Sequence, residues 1–329
     1  MGLAAVVCTR NRPDQFRRAL LSLIEQTFPP DEIIVVDNAP SDDATRELVT
    51  KQFPAVRYIR ESKEGLDYAR NRALAESEKE IIAYLDDDAV ADKNWSKSIL
   101  KVFEENPKAG ACTGRVLPLS METEAQRLFE ENGGFGRGEV QICLPRDACN
   151  RLNGMRAPLI AWAVSVGSGC SMAVKRPVVL ALGGFDEGLD LGSVLPGGGD
   201  LDILWQVLTR GFGVIYEPGV LAWHEHRREL PAVFDQIVGH QLSLIAFLTK
   251  SLTHARGWIK LQILAFLAWR LLKPGTRLIR RLAGRDPLPV SVISRMWGNC
   301  WQGLIKYKSI NRFSDLRRKR RIQNDFGAY

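Results

Sequence analysis

The sequence predicts an α/β protein, a mostly parallel sheet flanked by helices and followed by a helical, basic C-terminal segment. Three observations predict it. Over the first 120 residues or so, short apolar runs rich in β-branched residues alternate with amphipathic helical stripes, the rhythm of βαβ units. Polar groups follow the strand-like runs, at Thr9-Arg10-Asn11-Arg12, Asp37-Asn38 and Asp86-Asp87-Asp88. Charge is split along the chain: residues 250–329 carry 18 Lys/Arg against 3 Asp/Glu, and residues 1–249 carry 27 against 35.

The elements follow in order. Leu3–Cys8 reads as a buried strand. Pro13 suits the first position of a helix with Phe16, Leu20, Leu23 and Ile24 on one face. Ile33–Val36 is the second strand, and Ser41 is the expected cap of a helix with Asp42 and Asp43 in its first turn. Val56–Ile59, Ile81–Leu85 and Gly110–Leu117 are further strands, and Leu66–Ala75 and Trp95–Phe103 are helices. Residues 132–160 show no clear period and read as an insertion or loop near the site. Order returns around Val164–Val174, and Gly183-Gly184-Phe185-Asp186 marks a turn. Pro196-Gly197-Gly198-Gly199 leads into a helix over 201–209 that ends near Gly211. Val214–Tyr216 and Val220–Trp223 read as two short strands. After about residue 230 the pattern is helical, with apolar faces over Val233–Leu248 and Trp258–Leu272. The second stretch is short of the ~20 apolar residues a membrane span needs. Arg317-Arg318-Lys319-Arg320-Arg321 is the densest charge run.

With 329 residues, 45% of them apolar and 25% charged, the chain is globular in composition. It is long enough for one large domain or two smaller ones, with a boundary expected between 1–229 and 230–329. The net charge is +7. The basic end suggests an anionic surface, membrane or nucleic acid. Cys8, Cys112, Cys143, Cys149, Cys170 and Cys300 include no C-x-x-C pair and no zinc spacing. A reducing compartment is the simpler reading. The N-terminus enters a strand at once, without the basic leader and apolar core of a signal peptide, so a cytoplasmic location is expected.

Several residue groups can carry chemistry. Carboxylates crowded at Asp86-Asp87-Asp88 repel one another unless a cation neutralises them, and a hard divalent ion does this while holding a diphosphate. A solvated acidic turn is the plainer alternative. Asp37 can accept hydrogen bonds from a base or ribose, or simply serve a turn. His224 and His226 are candidate metal ligands in one short segment. Asp200 and Asp202 open a helix, where a carboxylate either caps the dipole or acts as a general base. Lys63, Arg70 and Arg72 can pair with phosphates or stay solvated.

Seven pieces in order carry a resemblance. They are Val6-Val7-Cys8-Thr9-Arg10-Asn11-Arg12, Ile34-Val35-Val36-Asp37-Asn38, Gly65-Leu66-Asp67-Tyr68-Ala69-Arg70-Asn71, Tyr84-Leu85-Asp86-Asp87-Asp88, Gly183-Gly184-Phe185-Asp186-Glu187, Gly198-Gly199-Asp200-Leu201-Asp202 and Trp223-His224-Glu225-His226. Across roughly residues 3–228 the chain resembles the family 2 glycosyltransferases, whose fold is the Rossmann-like GT-A fold. The resemblance implies inverting transfer of a sugar from a nucleotide-diphospho-sugar to an acceptor hydroxyl, with Mg2+ or Mn2+. Nucleotide-sugar binding is expected over about 1–118 and the acceptor side over about 160–229. Thr9 and Asp37 would contact the base and ribose, Arg10, Arg70 and Asn71 would lie along the donor, and Asp86 would serve the ribose side. Asp88 would ligate the metal, with His224 as its last ligand and His226 in reserve. Asp200 would be the catalytic base, and Asp186, Asp202 and His226 are acceptor-side candidates.

Two departures stand out. Many relatives carry Glu before the catalytic Asp, whereas Gly199 stands here. Gln206-Val207-Leu208-Thr209-Arg210 is out of register with the Q-x-x-R-W of processive members. A single-sugar enzyme is therefore expected, acting on a glycan or lipid-linked acceptor in cell-envelope polysaccharide or glycolipid synthesis. The basic end suggests peripheral attachment to an anionic inner membrane surface. The rival readings are a nucleic-acid-binding protein using that end and a sugar-phosphate nucleotidylyltransferase. The first lacks a recognised binding motif, and no nucleic-acid partner is expected. The second would have a glycine-rich loop where Thr9-Arg10-Asn11-Arg12 has none.

Overall fold

The structure, a computed structural model, describes residues 1–152, 155–192 and 194–324. Side chains from 308 onward lie outside that description, and with them those of the basic run 317–321. Among the described residues the chain forms strands β1 (Leu3–Thr9), β2 (Glu32–Asn38), β3 (Arg57–Glu61), β4 (Ile81–Asp86), β5 (Ala89–Ala91), β6 (Ala109–Pro118), β7 (Ile142–Leu144), β8 (Arg151–Leu152), β9 (Met155–Arg156), β10 (Ser171–Lys175) and β11 (Gly213–His224). The helices are α1 (Pro13–Ile24), α2 (Ala44–Gln52), α3 (Leu66–Glu76), α4 (Trp95–Glu105), α5 (Glu124–Glu131), α6 (Leu159–Val166), α7 (Arg176–Ala181), α8 (Gly199–Thr209), α9 (Leu230–His254), α10 (Gly257–Leu282) and α11 (Val290–Asn324).

A nine-stranded sheet runs β3-β2-β1-β4-β10-β6-β11-β5, with β7 also paired to β11. Strands β1 to β4, β6 and β11 point one way, and β10, β5 and β7 run against them. Side chains alternate across a strand, so β1 feeds two cores. Leu3, Ala5 and Val7 pack with Phe16, Leu20 and Leu23 of α1 and Trp95, Ile99 and Phe103 of α4. Ala4 and Val6 pack on the other face with Ala69, Ala73 and Leu74 of α3 and with residues of α6, α8 and α9. Burial on both faces explains why these strands read as continuous apolar runs.

The order β2-β1-β4 places a switch point between β1 and β4, where Cys8 pairs with Asp86. Ligands of open α/β sheets bind outside the strand ends at such a point. Near it the backbone is unusual: Asn11, Ala39 and Asp190 all have positive φ without being glycine. Such conformations cost of order 1–3 kcal/mol and cluster where loops are shaped for function.

Four expectations are corrected. Ser41 does not cap α2: the N-cap position is Asp43, without a side-chain cap bond, and Asp42 Oδ1 accepts from Ala44 N at 3.0 Å. Residues 132–160 contain β7, β8 and β9 instead of a plain loop. The two short strands after Gly211 are one strand, β11, whose register shifts between Glu217 and Leu221. Gly114 permits this shift, because a Cβ there would meet the Val220 carbonyl oxygen at 2.1 Å. Finally, α9 is longer than its apolar run suggested. By length and composition it is apolar enough to cross a membrane, yet 67% of that window is buried inside the molecule.

Helix α9 starts at Leu230, next to the expected domain boundary, but the core crosses it. Leu244, Phe247 and Leu248 of α9, Ile263 and Leu267 of α10 and Cys300 of α11 belong to the same apolar cluster as Val6 and Tyr84. The C-terminal helices thus form one wall of the main body.

Candidate active site

A cavity of about 710 Å³ opens at the switch point. Its walls come from the ends of β1, β4 and β11, the start of α8, the loop after α5 and the inner faces of α9 and α10.

Asp86, Asp87 and Asp88 form the tight turn from β4 into β5, and all three reach the cavity. They are held differently. Asp87 accepts from the Thr9 hydroxyl at 2.8 Å and from Arg12 at 3.2 Å, so it anchors the loop after β1 to the turn. Burial raises the Asp86 pKa to about 7, and the neighbouring Asp88 charge adds to the rise. Burial would raise Asp88 too, but its hydrogen bond to His224 and the charges of His224 and Arg12 outweigh this, and its pKa falls.

Strand pairing brings His224 to Asp88. His224 sits opposite Ala89 in the β11–β5 ladder, and its Nε2 lies 3.2 Å from Asp88 Oδ1. Burial works against the imidazolium, yet the Asp88 carboxylate prevails and the His224 pKa is raised. Its Nδ1 meets His226 Nδ1 at 2.9 Å, and His226 Nε2 meets Glu130 at 2.7 Å. Phe135 and Phe129 stack edge-on against these imidazoles, at 4.9 Å from His224 and 4.8 Å from His226. His226 therefore stands behind His224 and orients it, as outer partners of metal-binding histidines do.

The donor set fits a divalent ion in part. Among the described residues no group of three His, Cys, Asp or Glu side chains makes a closed metal site. Asp88 and His224 provide a carboxylate and an imidazole on an open wall, and the crowded carboxylates beside them favour a cation. Such an ion takes its remaining ligands from substrate phosphates and water, the usual arrangement for Mg2+.

Asp200 lies in the first turn of α8 and lines the cavity. Gly169 lets it approach Arg70: a Cβ there would meet Arg70 Nη2 at 2.6 Å and the Asp200 Cβ at 3.2 Å. Arg70 is buried and faces two carboxylates, Asp67 at 3.1 Å and Asp190 at 3.6 Å. Burial, then the Asp190 charge, raises Asp67 well above its ordinary range. Burial raises Asp190 to about 6 against the pull of Arg70. Asp190 also accepts from Gly199 N at 2.7 Å, which fixes the start of α8.

The remaining sequence candidates divide. Thr9, Arg10 and Arg70 line the cavity. Asp37 is buried at the end of β2, with Oδ2 accepting from Tyr58 at 2.8 Å and Oδ1 without a partner. Of the candidates, Asp37, Asn71, Asp186, Asp202 and His226 are not on the cavity wall. Asn71 gives both ends of its amide to the Phe185 backbone and clamps the glycine turn. Asp186 and Asp202 are buried around Lys250, with Asp202 at 2.7 Å. Lys250 was not foreseen, because a cation in the apolar run of α9 gives no hint of its partners.

Residues missed by sequence reasoning also line the cavity. Arg12 and Asn38 stood inside quoted motifs without a role. Asp190, Arg137, His240, Arg270 and Lys273 stood in none. Cys8 and Cys170 are on the wall as well, but burial pushes Cys8 up to about 12 and Cys170 well above its ordinary range.

Comparison with known proteins agrees with this architecture. The family model "Glycosyl transferase family 2" matches residues 4–180. The glucosyl-dolichyl phosphate glucuronosyltransferase of Haloferax volcanii is 26% identical over 192 residues, 56% of either chain. The poly-beta-1,6-N-acetyl-D-glucosamine synthase of Staphylococcus aureus is 22% identical over 254 residues, 75% of this chain and 56% of that one. The chain thus spans about half the length of these curated relatives. A solved structure of the mannosyltransferase PcManGT from Pyrobaculum calidifontis, in complex with GDP-Man and Mn2+, superposes with a TM-score of 0.56 at 19% identity, covering 94% of this chain and 87% of the other. A matched family model over more than half the chain, a sheet with this switch point and an acidic turn at it lead to one conclusion: the chain belongs to glycosyl transferase family 2 and has the GT-A fold.

Proposed function

We propose that this protein transfers a single sugar from a nucleotide-diphospho-sugar to an acceptor hydroxyl, with inversion and without processive growth. The observation that carries the reading is Asp200 on the same cavity as the Asp88–His224 pair. The Asp200 carboxylate takes the proton of the acceptor hydroxyl. The acceptor oxygen bonds to the anomeric carbon as the bond from that carbon to the phosphate oxygen breaks. The nucleoside diphosphate leaves with the bonding pair, and attack opposite to it inverts the centre. Asp88 and His224 would hold Mg2+ or Mn2+, and a bound ion supplies Lewis-acid stabilisation to the diphosphate oxygens. Arg12 holds Asp87 and Asp88 in place, and Glu130 with His226 sets the His224 ring.

The donor contacts would come from Thr9, Arg10, Asp37, Arg70 and Asp86. The acceptor would be a glycan or lipid-linked glycan of the cell envelope, reached from the cytoplasmic face of the membrane. Exposed Trp258, Leu261, Leu264, Trp269, Leu272, Ile279 and Leu282 on α10, and Trp297, Trp301 and Ile305 on α11, support attachment to an anionic membrane surface. Exposed Arg256, Lys260, Arg280 and Arg281 accompany them on α10 and its N-terminal flank, the composition of an interfacial helix.

The test is Asp200→Asn, assayed for transfer with donor binding measured in parallel. Loss of at least a thousandfold in transfer with donor binding kept is expected. Near-normal transfer by the folded variant would overturn the assignment of the base.

A further inference from the structure

The cavity wall carries charges of both signs. Asp86, Asp87, Asp88, Asp190, Asp200 and Glu64 line it, with Arg10, Arg12 and Arg70 among them. A basic group from α10, Arg270, Lys273 and Arg277, also lines it, as do Arg137 and Arg227. Arg270, Lys273 and Arg277 follow one another at helical spacing on α10, so their side chains share a face and point to one region.

Their neutralisation is incomplete. Arg277 forms a bidentate pair with Asp286, at 2.9 Å for each bond. Among the described residues Arg270 reaches only the amide oxygen of Gln241, at 2.9 Å, and its Nε is buried with no hydrogen-bond partner. Arg137 bonds to carbonyls of its own loop, Gly134 at 3.1 Å and Gly136 at 3.0 Å, and its Nε is likewise buried without a partner. Among the described residues Lys273 makes no ion pair with a carboxylate. Burial lowers Lys273 to about 8, and repulsion from Arg270, Arg277 and Arg280 adds to the drop. Burial likewise lowers Arg270 to about 10. Half-buried cations in this state gain from an anion, since a charge-assisted hydrogen bond supplies what the protein withholds.

We propose that this basic group forms a subsite for a phosphate or diphosphate group carried by the acceptor. The inference rests on the transferase reading and names the acceptor's chemical class. Trp269 connects the subsite to the outside: its ring lies 5.7 Å from the Arg270 guanidinium and 5.6 Å from Lys273 Nζ. The same ring belongs to the exposed apolar face of α10. An anionic head can therefore meet the basic group while an attached hydrocarbon chain stays on the apolar face. The acceptor hydroxyl beyond the phosphate extends toward Asp200, whose charge acts on both Arg137 and His240.

The experiment titrates farnesyl diphosphate, inorganic pyrophosphate and uncharged farnesol into the full chain, each with saturating nucleoside diphosphate and Mn2+ present. Lys273→Met is the main variant, because it keeps the packing of the stem, and Lys273→Arg is the rescue. Binding of farnesyl diphosphate alongside the nucleotide is expected, weakened at least tenfold by Lys273→Met and restored by Lys273→Arg, with nucleotide affinity unchanged. Tighter binding of farnesyl diphosphate than of pyrophosphate assigns the anion to a lipid carrier, and equal binding assigns it to a soluble phosphorylated acceptor. Both outcomes support the subsite. Competition with the nucleotide, binding of farnesol as tight as that of its diphosphate, or no loss in Lys273→Met overturns it. If nucleotide sugars fail to bind while the anion titration behaves as expected, the transferase reading falls and the subsite stands.

Discussion

Asp67 occupies the space that a side chain at Gly199 would need: a Cβ there would lie 1.8 Å from Asp67 Oδ2 and 2.5 Å from Asp190 Oδ2. Where the family pattern has glutamate, the glycine leaves room for two inward carboxylates from elsewhere. Gly199→Ala should destabilise the fold by at least about 2 kcal/mol, in the range of over-packed buried sites. The double variant Gly199→Ala/Asp67→Ala should recover only part of that, because Asp190 Oδ2 stays 2.5 Å from the new Cβ and Arg70 loses a carboxylate partner. Thermal unfolding of the two variants checks this, and a single variant as stable as the parent would refute the packing argument.

Asp190 should make stability pH-dependent. Its pKa is raised in the folded state from an ordinary 3.8 to about 6. Between those values the unfolded chain has lost the proton that the folded chain still holds. The Asp190 contribution to stability is thus fully present below about pH 4 and declines as pH rises toward 6, by on the order of 1–3 kcal/mol. Denaturant unfolding of the parent and of Asp190→Asn at several pH values should show a steeper decline in the parent, since Asp86 and Asp67 contribute to both. Parallel curves would contradict it.

Metal dependence should separate His224 from His226. His224→Ala and Asp88→Asn should each lower transfer by a hundredfold or more and abolish the Mn2+-dependent part of nucleotide-sugar binding. His226→Gln should cost about tenfold, the scale seen for partners that orient a ligand. Calorimetry with and without chelator measures both. A larger loss for His226→Gln than for His224→Ala would reverse their roles.

The exposed apolar face of α10 and α11 should hold the protein on anionic vesicles. Replacing Trp258, Trp269 and Trp301 with serine should reduce co-sedimentation with such vesicles at least tenfold and leave thermal stability within about 1 kcal/mol, since exposed positions contribute little to folding. Deleting α10 and α11 is not an equivalent test, because Ile263, Leu267 and Cys300 belong to the main core. Unchanged sedimentation of the triple variant would argue against membrane attachment.

The amino-acid sequence alone makes the alternation of strands and helices legible, because burial on both sheet faces leaves continuous apolar runs and helix burial leaves a stripe. It also singled out Asp88, Asp200 and His224, since strand ends and helix starts are local features and carry polar residues visibly. How those residues meet is set by the packing of distant elements. His224 reaches Asp88 through the β11–β5 ladder, and no local pattern encodes a pairing between strands so far apart in sequence. The same holds for partners that no local pattern shows. Asp186 and Asp202 resemble site residues in their motifs, but α9 folds back and delivers Lys250 between them. Asn71 is drawn off by Phe185. Arg270 and Lys273 look like ordinary solvated charges on an amphipathic helix until α10 packs against the body and turns them into the cavity. Local propensity and burial period are written in neighbouring residues, whereas the partner of a buried charge is set by packing between distant elements.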